Sequence, residues 1–229
     1  AVGDEQNFLC LHNSAHTHGD CLARNVAFLF KATFFVCGYQ LKESTKDELQ
    51  RAISLGCEIG NHSNTHKSSL TKLSDEDILT EIRAASEKIA QFSGTDYQCT
   101  VYRPPNGEIN RRVAKILVEN EIYMYPILWN VDSRDWEYRK NYNNGKITRE
   151  EAVQGTFETV VKETSEGSVI LMHDIQSITP DVVARILEKY TAEGYEFVTV
   201  SELFDFKKMQ NEEAYFNRYR SVNSITPMN

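Results

Sequence analysis

Short apolar runs alternate with segments of helical period along most of this chain, and that alternation constrains its fold more than any other feature. The runs at 8–11, 32–37, 57–60, 100–103, 123–129, 168–173 and 196–200 are almost uninterrupted. Strands buried on both faces of a parallel sheet read this way, whereas half-exposed strands alternate. The segments between them carry helix-start chemistry. Ser74 with Asp77 precedes Ile78, Ile82, Ala85 and Ile89, and Thr148 with Glu151 precedes Val153, Phe157 and Val160, both in capping-box style. Thr179 followed by Pro180 predicts a cap and a first-turn proline ahead of Val183, Ile186 and Leu187. Strand and helix repeating some seven times gives an α/β class with two common solutions, a doubly wound open sheet or a (β/α) barrel, and seven or eight units favour the barrel. No Pro, Gly or Ser-rich linker divides the chain, so a single domain over 1–229 is expected. Its motif-bearing core covers about 8–204, with a surface helix and tail over 205–229.

Composition excludes several partners. The 229 residues carry 25 Lys and Arg against 33 Asp and Glu, a net charge of −8, which repels nucleic acid and acidic lipid at long range. No apolar run is long enough to span a bilayer, and Lys31 breaks the stretch around it. No charged leader followed by an apolar run is present, so localisation is not read from the residues. The five cysteines are an odd number without a C-x-x-C pair. Cys37 and Cys57 read as buried thiols, and spacing leaves a Cys10–Cys21 disulfide open.

Polar motifs gather where the strands end. His62 and His66 follow a strand directly and stand four residues apart; on one helical turn they would share a face and a metal ion. Arg103, Pro104, Pro105, Asn106 and Gly107 end the next strand with an arginine and a stiff turn that presents backbone N–H groups. Asp132, Ser133, Arg134, Asp135 and Trp136 set two carboxylates beside an indole suited to stacking on a sugar or to packing. Leu171, Met172, His173 and Asp174 close a buried strand with a histidine. Each alone has an ordinary structural explanation. Four together at the carboxyl ends of successive strands point to one rim-borne site.

This set, with Lys31 to Gly38 upstream (Lys-Ala-Thr-Phe-Phe-Val-Cys-Gly), resembles the polysaccharide deacetylases of carbohydrate esterase family four over roughly 8–204. The resemblance implies a distorted (β/α) barrel and metal-dependent removal of acetate from N-acetylglucosamine units of a chitin- or chitosan-like polysaccharide. It makes His62 and His66 two of three ligands to Zn²⁺ or a similar divalent metal. His173 becomes the general acid, oriented and charged by Asp135, and Arg103 the holder of the catalytic base. Leu171 and Trp136 would line the acetyl pocket, and the N–H of Asn106 would help bind the oxyanion. Secretion or a cell-wall location is implied by the resemblance alone.

The chain departs from the family at the first motif. There the family has Thr-Phe-Asp-Asp-Gly-Pro, which supplies the base and then the third ligand. Here the first strand ends in Leu11, His12, Asn13, Ser14 and Ala15, so His12 takes the base position and Asn13 the ligand position. A lost anionic ligand weakens metal binding by several kcal/mol out of the roughly 10–16 kcal/mol of a full site. A lost base costs about 10²–10⁴ in rate. Asn106 also stands where the family usually has an aromatic. The expectation is a deacetylase homologue with lost or strongly reduced activity and weak or absent metal binding. Two alternatives stand beside it. One is an active enzyme whose metal site is rebuilt with His12, or with His16 or His18; the other is a glycan-binding or structural wall protein. The Asn61-His62-Ser63 sequon is treated as silent, and residues 138–146 read as an exposed rim loop.

Overall fold

A computed structural model of the protein describes residues 30–204 together with the strand Asn7–Ala15. Eight strands alternate with helices: β1 Asn7–Ala15, β2 Ala32–Val36, α1 Lys46–Ser54, β3 Glu58–Asn61, α2 Asp75–Ser93, β4 Val101–Tyr102 and α3 Arg111–Glu119. There follow β5 Tyr125–Pro126, β6 Val131–Asp132, α4 Asp135–Asn143, α5 Arg149–Glu163, β7 Val169–Met172, α6 Thr179–Ala192, β8 Tyr195–Phe197 and α7 Val200–Phe204. Every residue of β2, β3 and β7 is buried, as expected of strands covered on both faces, although β3 carries Glu58 and Asn61 within it.

The chain divides into two compact units whose segments interleave along the sequence. The first contains β1 and, among the described residues, 30–34, 51–58 and 129–203. Here β8, β1, β7 and β6 pair in parallel in that order, with His12 opposite Leu171, Asn13 opposite Met172, and Asp132 opposite Leu171. Helices α5 and α6 pack on one another and bury Val153, Val160, Val182, Val183, Ile186 and Leu187, the stripes their periodicity predicts.

The second unit contains residues 35–50 and 59–128. Asn61 of β3 lies opposite Tyr102 of β4, and Tyr102 opposite Pro126 of β5, all parallel. Ile78 and Ile82 of α2 and Val113, Ile116 and Leu117 of α3 close over Tyr102, Leu70 and Met124 to form its core. Burying a side chain of this size contributes about 1.5–3 kcal/mol. Gly60 is required by this packing: a Cβ there would lie 2.5 Å from the ring of Phe35.

Local chemistry accounts for the helix starts that were predicted. The Ser74 hydroxyl accepts from the N–H of Asp77, and Thr148 with Glu151 forms a reciprocal capping box. Elsewhere the structure corrects the sequence reading. The predicted rim loop over 138–146 is largely helix, since α4 runs to Asn143 and only the turn at Asn144 and Gly145 remains. Thr179 is not a cap: Ile178 occupies the cap position and Thr179 is the first helical residue, its hydroxyl bonded elsewhere. The predicted strand at 123–129 contracts to Tyr125–Pro126, and a second short strand appears at Val131–Asp132. Val200, placed in the last strand by its apolar neighbours, opens α7 instead. Cys37 and Cys57 are buried free thiols. Cys21, His16, His18 and the tail after 204 lie outside the described residues, as does any pairing of Cys10.

Candidate active site

In the first unit, four donors converge on the carboxylate of Asp135, which is 0% exposed. Oδ1 accepts from His173 Nδ1 at 2.7 Å and from the backbone N–H of Trp136 at 2.8 Å. Oδ2 accepts from the backbone N–H of His173 and from the Thr179 hydroxyl, both at 2.6 Å. Four donors around two oxygens is a pattern that an acceptor-only carboxylate satisfies. Three elements create it. The Asp132 side chain accepts from the N–H of Arg134, and Arg134 turns into the left-handed region at φ 54°, so that Asp135 enters α4 in its first turn with its side chain inward. His173 follows β7 directly, and Thr179 begins α6. Because Nδ1 donates to Asp135, the second ring nitrogen, Nε2, is the atom that can exchange a proton with a ligand. Leu171 is buried two residues before His173, and Trp136 is half-exposed directly after Asp135.

The backbone register brings the altered first motif to the same strand ends. His12 lies opposite Leu171 and Asn13 opposite Met172, immediately before His173.

In the second unit, equal advance along paired strands puts His62, Arg103 and Ile127 at successive carboxyl ends, because the residues just before them, Asn61, Tyr102 and Pro126, are in register. His62 is buried and its Nδ1 lies 2.9 Å from the carbonyl oxygen of Arg103. A carbonyl only accepts, so Nδ1 carries the proton and the lone pair sits on Nε2, the form of imidazole that binds metals. His66 is not one helical turn further on, contrary to the sequence reading. The segment is a loop in which Ser63 and His66 adopt φ of 63° and 52°. Left-handed backbone costs non-glycine residues about 1–2 kcal/mol each. The loop nevertheless brings the two rings to a centroid separation of 4.6 Å, edge to face.

Arg103 is 1% exposed; its guanidinium donates to the carbonyls of Ile127 and Leu128 and lies 4.9 Å from the Phe35 ring centroid. Asn106 sits at φ 61° in the Pro-Pro-Asn-Gly turn, a conformation asparagine tolerates, and its side chain donates to Ser69. No described residue accepts from its backbone N–H. Asn61 is fully buried, its amide donating to the Ile82 carbonyl and Ser86 while its oxygen accepts from Ser63, so the sequon asparagine is committed to the fold.

Two imidazoles, one fixed in the metal-binding tautomer, suit zinc-type ions. Among the described residues no three His, Cys, Asp or Glu side chains are grouped to hold a metal; the side chain of Asn13, expected at the third position, lies outside them. Two polar side chains that support the site escaped the sequence reading, Thr179 on Asp135 and Glu81 on Thr65. Their only signal was a hydroxyl or carboxylate at a helix position, which caps and surface charges also give.

The motifs match known proteins. The polysaccharide deacetylase family profile matches residues 25–125. A peptidoglycan-N-acetylglucosamine deacetylase of Bacillus cereus is 31% identical over 180 residues, covering 77% of this chain and 76% of the relative. The peptidoglycan-N-acetylglucosamine deacetylase PgdA of Listeria monocytogenes is 34% identical over 188 residues, 82% of this chain. This chain spans only 36% of that longer relative. Among solved structures, peptidoglycan deacetylase PdaC from Bacillus subtilis shares 28% identity and a TM-score of 0.72 over 95% of both chains. The chain belongs to the polysaccharide deacetylase family. The expected fold class, the distorted (β/α) barrel of that family, is borne out by this likeness. Family members are metal-dependent carbohydrate esterases.

Proposed function

We propose that this protein is a homologue of the deacetylases acting on N-acetylglucosamine-containing polysaccharides, that it keeps the proton-donating half of the machinery, and that its metal affinity and acetate release are much reduced. The observation that carries this is the pairing of β1 with β7, where His12 and Asn13 stand opposite Leu171 and Met172 just before His173. The positions at which the family carries two carboxylates therefore offer an imidazole and an amide.

His62 and His66 would hold a divalent ion such as Zn²⁺, whose chemistry is to polarise the amide carbonyl and acidify water. His173 would give its Nε2 proton to the departing amine, while Asp135 fixes its ring and tautomer through Nδ1. The N–H of Asn106 would donate to the developing oxyanion, and Leu171 and Trp136 would bound the acetyl group. At the base position His12 would be the proton acceptor. Arg103, which in the family holds the base carboxylate, is here anchored by two backbone carbonyls and the Phe35 ring. The names of the relatives support a cell-wall glycan as substrate and a location outside the cytoplasm. The net charge of −8 suits neutral or partly deacetylated, cationic glycans.

Calorimetric titration with Zn²⁺ and Co²⁺, with acetate release from N-acetylglucosamine oligomers and peptidoglycan measured on the same samples, tests the reading. Wild type should bind metal weakly and release little acetate, and His12→Asp with Asn13→Asp should raise both, the rate by about 10²-fold or more. A wild-type site tighter than micromolar that depends on His12 as well as His62 would refute the reading in favour of an active enzyme with a rebuilt centre.

A further inference from the structure

The loop that pairs His62 with His66 is held from one side by α2, and its principal tie is a carboxylate. Glu81 accepts the backbone N–H of Thr65 on Oε2 and the Thr65 hydroxyl on Oε1, each at 2.7 Å. Thr65 directly precedes the left-handed His66 and stands two residues after the left-handed Ser63. Further ties fix the start of the same segment. Asn61 joins α2 through the Ile82 carbonyl and Ser86 and caps the N–H of Ser63, whose hydroxyl in turn accepts from the N–H of His66. The carbonyls of Ser63 and Asn64 also accept from the N–H groups of Gly38 and Tyr39, and among the described contacts the Glu81 pair is the one that engages Thr65. Without it, no described contact holds the Thr65 N–H or hydroxyl, and the stretch that leads into the left-handed His66 loses one of the constraints that keep it at positive φ. A shift there moves the His66 ring relative to His62, which stays tied to the Arg103 carbonyl.

We infer that Glu81 is a positioning residue for the histidine pair: its two-pronged hold on Thr65 sets the separation of the His62 and His66 rings and thereby the affinity of that pair for a divalent metal. The inference rests on the reading of His62 and His66 as metal ligands. A carboxylate suits the role because its two oxygens accept from two donors at once, and such outer contacts typically govern metal affinity by 10–100-fold.

The test compares Glu81→Ala, Glu81→Gln and Thr65→Val with wild type in the full chain, using the nuclear Overhauser contact between the two imidazole rings and Zn²⁺ affinity by calorimetry. Glu81→Ala should abolish the ring contact and weaken Zn²⁺ binding by about 10–100-fold. Glu81→Gln should restore most of both, since its oxygen still accepts the Thr65 N–H and the hydroxyl can rotate to accept from its amide. Thr65→Val, which removes one prong without loss of bulk, should fall between, and decides the matter if Glu81→Ala does not fold. An unchanged ring contact in Glu81→Ala, or in Thr65→Val when that stands in, overturns the inference, and so does a folded Glu81→Gln as impaired as the alanine variant. A Zn²⁺ affinity indifferent to His62→Ala overturns the ligand reading instead, and the ring contact still judges Glu81.

Discussion

Replacing Asp135 with asparagine changes no volume, yet the hydrogen-bond geometry offers the amide no satisfactory orientation. If the asparagine oxygen takes the Oδ1 position, it keeps His173 Nδ1 and the Trp136 N–H, and its NH₂ then faces the Thr179 hydroxyl, which can rotate, and the His173 backbone N–H, which cannot. If the oxygen takes the Oδ2 position, the NH₂ faces the fixed N–H of Trp136 and also His173 Nδ1, which can accept only by shifting its proton to Nε2. Either way one buried backbone donor meets another donor, at a cost of about 1–3 kcal/mol, and the hydrogen bonds that remain lose their charge-assisted strength. Relief from burying a charge at a fully enclosed site offsets part of this. The net expectation is a loss of about 2 kcal/mol in denaturant unfolding, with an unchanged m-value. Thr179→Val, which removes one donor and leaves no donor facing another, should cost less. Long-range ¹⁵N–¹H spectra of His173 should in addition show a mixed or inverted tautomer in Asp135→Asn, as the second orientation requires. Asp135→Asn with wild-type stability and the wild-type tautomer would refute the four-donor account.

Two further outcomes follow from the packing. Gly60→Ala should lose about 1–3 kcal/mol in denaturant unfolding, because its Cβ would meet the buried Phe35 ring at 2.5 Å and Val101 at 3.1 Å; an unchanged midpoint would show that the ring has room to retreat. Burial pushes the Cys57 thiol above its ordinary pKa. Below the unfolded thiol's pKa of about 8.5–9 both states keep the proton and pH has no effect; above it the unfolded chain ionises first, so folding stability declines as pH rises. Between pH 8 and 10 wild type should therefore lose stability more steeply than Cys57→Ala, and parallel curves would refute the assignment.

What could be read from the chain in advance was what is encoded within a few residues. Ser74 caps Asp77 and Thr148 caps Glu151 through contacts three residues apart, and Ile78, Ile82 and Ala85 declare the buried face of α2 by spacing alone. The strand ends bearing His62, Arg103 and His173 were legible because each closes an apolar run. The missed elements depend on distant partners. Val131–Asp132 is a strand only because β7 lies beside it. Thr179 serves a carboxylate 44 positions away, and beside Pro180 it presents the same signature as a helix cap. His62 and His66 looked like a helical pair because their spacing fits one turn, whereas two left-handed residues and a glutamate 16 positions from Thr65 produce the approach in a loop. The place of Asp135 after an apolar run was legible, but its enclosure by four donors was not.

That enclosure is closed upon itself. Its described donors come from Trp136, His173 and Thr179. Selection for a stable fold therefore guards the histidine–aspartate pair whether or not any glycan is ever cut. A lineage in which demand for acetate release lapsed would shed the first-motif carboxylates early and keep the acid almost indefinitely. The return path would also be short, two codons on one strand.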